Sequence, residues 1–382
     1  MASFFDAPAV VIDLGTSSVK LGRAGNLEPQ AIIPSYIGID LKPNMFGTLQ
    51  PQGLEDVLCD VSKGVKQGRY DPVGFMDHGI ISNFDYFSTF INRIPYSVMN
   101  YDTRTCPILI TEPVTNPPEN RESIGEICFE TMDCPALTIQ KQPICSIISN
   151  LNQNVNKSIT GLVIDSGDGA TQLTPVYDGF AILSQVTQIP MAGKDMTYYI
   201  AKVLREREKI PSGVSFEIAT KYKEDECYVC QDPIKEFSKY DSNPSENFLK
   251  LSYKASDGKT YSFTSGHERF MAPESFFSPD IINPELRRPL NDLIVETIAN
   301  CPVDTRRSLF SNISLSGGST MYKNFDKRVK IETQQILNDK IEKNYEQTGY
   351  RGTPMEVIVP KDKLQKYRVF AGASLLANTL LV

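Results

Sequence analysis

Two segments of this sequence end an apolar run in a carboxylate and then turn on glycine. They are Ala9-Val-Val-Ile-Asp-Leu-Gly-Thr-Ser-Ser-Val-Lys20 and Gly161-Leu-Val-Ile-Asp-Ser-Gly-Asp-Gly-Ala-Thr-Gln172. The turns hold Gly15, Thr16 and Ser17 in one copy and Ser166, Gly167, Asp168 and Gly169 in the other. Each can present backbone N–H groups and hydroxyls to phosphate oxygens from opposite sides. Lys20, just beyond the first turn, can neutralise phosphate charge, and Asp13 and Asp165 suit a hydrated Mg²⁺, which uses few carboxylates and keeps several waters. A third segment, Asn312-Ile-Ser-Leu-Ser-Gly-Gly-Ser-Thr-Met-Tyr322, runs through the diglycine Gly317-Gly318 into a helical pattern. Small residues let a flat ring approach the backbone, and a helix start offers free N–H groups. One Asp-x-Gly turn alone caps strands in many proteins. Two matched copies with a third glycine segment supply what a nucleoside triphosphate needs.

Other phosphate and nucleophile chemistries fit poorly. Gly258-Lys-Thr260 resembles the end of a P-loop, but Tyr253 stands where the first glycine belongs, and the surrounding pattern is a hairpin. Gly167-x-Gly169 lacks the third glycine and following helix of a dinucleotide fingerprint. Cys227-Tyr-Val-Cys230 has redox or zinc-knuckle spacing, but no second pair stands at metal-ligand distance, so buried structural thiols are expected. His78 and His267 are the only histidines, and neither lies beside a Ser or Cys nucleophile motif.

The two matched segments each predict strand, tight turn, strand, so the chain reads as duplicated α/β domains that face each other. Helical patterns span Pro118 to Met132, Pro143 to Asn150 (starting at Gln142 or Pro143), Lys194 to Lys209, and Phe325 to Asn338. Proline at the first helical position costs little, whereas inside a helix it costs about 3 kcal/mol. Arg205-Glu-Arg-Glu-Lys209 reads as a solvated helix face. A hairpin over Ser252 to Phe263 should turn at Asp257-Gly258. Ala371 to Val382 reads as a buried helix end.

The chain of 382 residues is long enough for two cores. Its net charge of −7 disfavours a partner built on phosphate backbones or anionic lipid, so no nucleic acid is expected. Met1 to Pro8 carries Asp6 and no basic stretch before an apolar one, which does not read as a signal peptide. No apolar run reaches spanning length, so no membrane insertion is expected. With eight cysteines expected to stay reduced, the address reads as cytosolic.

At these residues the chain resembles actin and the actin-related proteins over nearly its whole length. Asp13-Leu-Gly-Thr16 and Ile164-Asp-Ser-Gly-Asp-Gly169 are similar to that family's two phosphate loops, and Ser316-Gly-Gly-Ser-Thr-Met321 to its adenosine loop. The resemblance implies two domains (four subdomains) around a central cleft holding ATP and Mg²⁺. By this likeness residues 1–145, completed by 366–382, form the first domain and 146–365 the second. It also implies that Gln142, with Asp165, orients water near the terminal phosphate. Lys223, Glu224, Gly317, Gly318, Ser319, Met321, Tyr322 and Lys366 would then surround the adenosine, and His78 would sit in a nucleotide-sensing loop.

Longer matches at Leu204 to Glu208, Cys227 to Asp241, Glu268 to Phe277 and Asn300 to Leu309 resemble the branch-nucleating actin-related proteins more than actin. Their partners would be actin-related protein 2, five smaller complex subunits, actin filaments and nucleation-promoting activators, in the actin cytoskeleton. ATP hydrolysis would be slow and secondary to assembly. A conventional actin, another actin-related protein, or a small-molecule kinase of the same ATPase superfamily are the alternatives. The chain departs from the family pattern at Gln172, where actin usually has histidine, and at Ala373, where glycine is usual. Asp40 to Tyr70 fits poorly, and the chain stops at Val382, where relatives continue.

Overall fold

The apolar run before each carboxylate is a strand covered on both faces. The computed structural model describes residues 8–43, 49–51, 57–58, 70–152, 158–350, 352–362 and 364–380. Strand β1 (Val10–Asp13) lies antiparallel to β2 (Ser18–Arg23), which carries β3 (Ala31–Pro34). On its other side β1 runs parallel to β4 (Ile108–Glu112), and β4 to β5 (Leu137–Lys141). The second sheet repeats the plan. Strand β6 (Gly161–Ser166) is antiparallel to β7 (Thr171–Tyr177), which also pairs with β8 (Phe180–Ala181) and β9 (Thr187–Ile189). On the far side β6 runs parallel to β10 (Ile313–Ser316). Each carboxylate therefore sits at the carboxyl end of a strand held between an antiparallel and a parallel neighbour.

Strand alternation explains how both faces are buried. Val10 and Ile12 join Phe87, Phe90 and Ile91 in one core, while Val11 joins Leu109, Phe370 and Ala373 in another. In the second sheet Leu162 and Ile164 join Met196, Ile200 and Ile218, while Val163 meets Ile147 and Val176.

The helices follow the expected pattern with shifts at their ends. Helix α1 (Gln142–Ile148) has proline in its first turn, and α2 (Gly193–Glu208) ends at Lys209 in the left-handed region. Helix α3 (Ser212–Glu226) packs on α2. Helix α4 (Phe325–Thr348) continues well past Asn338 into an exposed stretch, residues 342–348, that shows no apolar stripe, and it stops at Gly349 with φ of 69°. Helix α5 (Arg368–Leu380) starts before Ala371, and Leu381 and Val382 lie outside the described residues. The segment from Pro118 is α-helical to Glu126 and then a π-turn over Ile127–Thr131. The predicted hairpin pairs Lys250–Lys254 with Thr260–Thr264 around Gly258. Of the poorly matching Asp40 to Tyr70, only residues 40–43, 49–51, 57–58 and 70 fall among the described ones.

Helix α1 leaves β5 and leads toward β6, touching strands of both sheets, and α5 lies on the outer face of β1 and against α1. A methyl group on Gly372 would stand 1.7 Å from the carbonyl oxygen of Cys145, so backbone meets backbone where these helices cross. Gly372→Ala should destabilise the fold by about 1–3 kcal/mol or more through overpacking. A thermal melt checks this, and an unchanged midpoint would show that the contact yields.

Candidate functional site

In the first hairpin Asp13 pairs in register with Lys20, and opposed residues share a face. The Lys20 ammonium lies 3.1 Å from Asp13 Oδ2, while the Thr111 hydroxyl donates to Asp13 Oδ1 at 2.7 Å. Thr111 in turn accepts the Leu14 N–H at 3.2 Å, tying the turn to β4. The Gln142 amide donates to Leu14 O at 2.7 Å, so the first residue of α1 grips the same turn.

The second hairpin faces this group. Asp165 is paired in register with Gln172, so no lysine stands beside it on the hairpin. Burial pushes the Asp165 carboxyl up and the charge of Asp13 adds to this, whereas Ser316 and Lys20 pull it back. Behind the turn, Gly167 O accepts from Gly193 N–H at 3.1 Å and from the Ser319 hydroxyl at 2.6 Å. Gly317, with φ of 89°, lies so close over Ser166 that a methyl group would stand 2.2 Å from its carbonyl oxygen. The diglycine turn thereby seals against the phosphate-type loop. Lys223 donates to Gly193 O at 2.8 Å and lies 3.7 Å from Asp168. Burial lowers its pKa, and Asp168 opposes that shift. The Tyr322 hydroxyl donates to Met196 Sδ at 3.4 Å, and burial drives that phenol well above its ordinary pKa.

A cavity of about 670 Å³ separates the hairpins. Asp13, Gly15, Thr16, Ser17, Lys20, Gln142, Asp165, Gly167, Asp168, Gly169 and Gln172 line one end. Lys223, Glu224, Gly317, Gly318, Ser319, Met321, Tyr322 and Lys366 line the rest. Two expected residues are not on the wall: His78, and Ser166, which is buried with its hydroxyl meeting Thr171 Oγ1 at 2.7 Å behind the loop.

Two polar contacts cross between the halves, and a third joins two loops of the first half. His78 Nδ1 lies 2.8 Å from Gly169 O, the Gly79 N–H donates to Thr16 Oγ1 at 2.9 Å, and Gln172 donates to Thr115 Oγ1 at 3.0 Å. Only the second stays on one hairpin's side. His78 holds φ of 46°, a strained value for a non-glycine residue. Thr111 and Thr115 were not expected from sequence, because a threonine at a strand end carries no motif. Cys227 and Cys230 are buried free thiols, and the described residues contain no cluster of metal-binding side chains.

Duplicated hairpins around a cleft, bridged by paired helices, form the actin fold, and a model of the actin family matches residues 5–380. The chain belongs to the actin family. Actin-related protein 3 of Dictyostelium discoideum is 38% identical, over 97% of this chain and 91% of that protein. Actin-related protein 3 of Caenorhabditis elegans is likewise 38% identical, over 97% and 91%. No helix among the described residues is long and apolar enough to cross a membrane.

The two hairpins meet closely at Gly169 and Thr16. A methyl group on Gly169 would lie 2.3 Å from Thr16 Oγ1 and 2.7 Å from its Cβ. Gly169→Ala should therefore wedge the loops apart. Hydrogen exchange at Gly79 and around Gly167 should quicken by about tenfold or more, as expected for loss of roughly 1.4 kcal/mol of protection. Unchanged protection would mean that Thr16 moves aside instead.

Proposed function

We propose that this chain binds ATP with Mg²⁺ and serves as a subunit of the actin-related protein 2/3 complex. Its work would be to stand beside actin-related protein 2 as one of the first two subunits of a daughter filament. The reading is carried by identity to actin-related protein 3 along 97% of the chain. Actin-related protein 2, five smaller subunits, actin filaments and nucleation-promoting activators are its partners on this reading, in the cytoplasmic actin cytoskeleton. The domains are proposed as 1–145 completed by 366–382, and 146–365.

The donor set suits the ligand. Asp13 and Asp165 converge with one lysine between them, and the raised Asp165 carboxyl marks a place where a hard cation would relieve repulsion. Lys20, the Gly15–Ser17 turn and the Gly167–Gly169 turn would hold the phosphates. Lys223, Glu224, the Gly317–Ser319 turn, Met321, Tyr322 and Lys366 would hold the nucleoside. When bound, ATP supplies a transferable phosphoryl group and contacts to both halves of the cleft. Gln142 spends amide hydrogen on Leu14 O, and its amide oxygen is an acceptor that can orient water. Gln172 spends its own on Thr115 and cannot carry a proton near neutral pH. Hydrolysis would be slow, with water positioned but not deprotonated.

Mg-ATP at a thousandfold excess over Kd should stabilise the fold by about 4 kcal/mol. Differential scanning fluorimetry should show a clear rise in Tm, most of it lost in Asp165→Ala. No rise in the unaltered chain would overturn the nucleotide assignment.

Affinity purification followed by mass spectrometry should recover actin-related protein 2 with five smaller companions. Complex carrying Lys20→Ala should assemble yet nucleate branches at least tenfold more slowly in pyrene-actin assays. Recovery of no such companions would overturn the complex assignment. Normal branching by a nucleotide-free mutant would leave the subunit a passive template.

A further inference from the structure

The first half of the chain contains a pair of thiols that nothing in the nucleotide cleft uses. The helix from Pro118 changes at Ile127 to a π-turn that ends at Thr131, and Cys128 lies inside that turn. Asp133, with φ of 51°, then folds the chain back. The Cys134 N–H consequently donates to the Cys128 carbonyl at 3.1 Å, and the two thiols are near enough to perturb each other's ionisation. One backbone hydrogen bond between two residues keeps their Cα atoms within about 7 Å, the upper limit for a disulfide. Both side chains belong to the core that also holds Met132 and Ile124, and both are free thiols.

We propose that Cys128 and Cys134 form a reversible intramolecular disulfide when the protein meets a hydroperoxide. The two sulfurs differ in the way this reaction needs. The neighbouring Cys128 thiol holds Cys134 below the ordinary thiol range, and the Cys134 thiol together with burial pushes Cys128 up. Cys134 is also nearer solvent, 5% exposed against 0%, and its neighbours Asp133 and Pro135 are exposed. The Cys134 thiolate attacks the peroxide, breaks its O–O bond and becomes a sulfenic acid, releasing the alcohol or water. The Cys128 sulfur then attacks the Cys134 sulfur, forming the S–S bond and expelling water. The peroxide gains the two electrons that the two thiols lose, and a dithiol reductant reverses the change.

A π-turn suits such a site. Such turns are rare inside helices and are frequent at functional sites. In a reducing compartment a disulfide of this kind is transient and sensing, not structural. Among the described residues no other two cysteines are joined by a backbone hydrogen bond. Cys227 and Cys230 are directed to different partners, the Glu268 carbonyl and the Glu274 carboxylate.

The test uses the full chain, treated with hydrogen peroxide, quenched and digested without reduction by trypsin together with a protease that cuts after glutamate. Cleavage after Glu130 separates the two cysteines and cleavage after Lys141 removes Cys145 from the Cys134 peptide, so the two peptides travel together only if the disulfide is present. The expected result is a linked pair lighter by two hydrogens than its free members, freed by dithiothreitol. Cys128→Ser should leave Cys134 as a sulfenic acid that dimedone captures, and Cys134→Ser should abolish both products. Because either variant could unfold, the digestion of the unaltered chain decides alone. Separate peptides under conditions that oxidise other thiols in the same chain, or a linked peptide pairing either cysteine with a different one, would overturn the proposal.

Discussion

The site depends on one backbone contact where no side chain fits. Gly372 lies on the carbonyl of Cys145, and through it α5 and α1 pack as one unit beneath both sheets. Val11 and Leu109 of the first sheet rest on this unit through Phe370 and Ala373, and Val163 and Val176 of the second rest on it through Ile147. The position of Asp13 relative to Asp165 is therefore set by a helix pair, not by the loops that carry them. A helix pair that close can twist slightly, but it cannot separate without exposing both inner faces. That is the mechanical requirement for a cleft that changes its opening while keeping its floor.

The loops themselves are joined lightly. Each half has its own large apolar core, while the cleft is spanned by hydrogen bonds such as His78 to Gly169 and Gln172 to Thr115. A hydrogen bond of this kind contributes about 1 kcal/mol net. Breaking these contacts would cost little next to the stability of either half. A ligand touching both hairpins would then need a differential affinity of only a few kcal/mol to favour one opening of the cleft over another.

Much of this was legible in the sequence because the repeated hairpin signals are local. Val-Ile-Asp followed by a glycine turn specifies strand, carboxylate and loop within a dozen residues, and the structure places both copies alike. Proline at the start of α1 and the Asp257-Gly258 turn were readable for the same reason. What remained hidden was set by tertiary contact. Thr111 matters because β4 runs parallel to β1 and brings a hydroxyl to Asp13 from a distant part of the chain. Ser166 looked like a phosphate ligand by type and spacing, yet strand alternation turns its hydroxyl away toward Thr171. The extent of α4 was missed because its solvated second half lacks the apolar period by which a buried helix is recognised.

The two hairpins also show how a duplicated frame acquires an asymmetric site. The register is the same in both, so the residue opposite each carboxylate occupies an equivalent place: Lys20 opposite Asp13, Gln172 opposite Asp165. In the first copy the carboxylate is neutralised by its own hairpin, at 3.1 Å. In the second, an uncharged amide faces it, and burial beside Asp13 raises its proton affinity. A lysine in both places would satisfy both carboxylates internally and remove the demand for an outside cation. A glutamine in both would leave two buried negative charges with no counterion, a cost of several kcal/mol. One of each leaves a single uncompensated carboxylate at the centre of the cleft, held by strands from a half that the other carboxylate does not share. A cation held there, on the reading proposed above, would answer to both halves at once, and the electrostatic deficit at Asp165 would tie its binding to the state of the cleft.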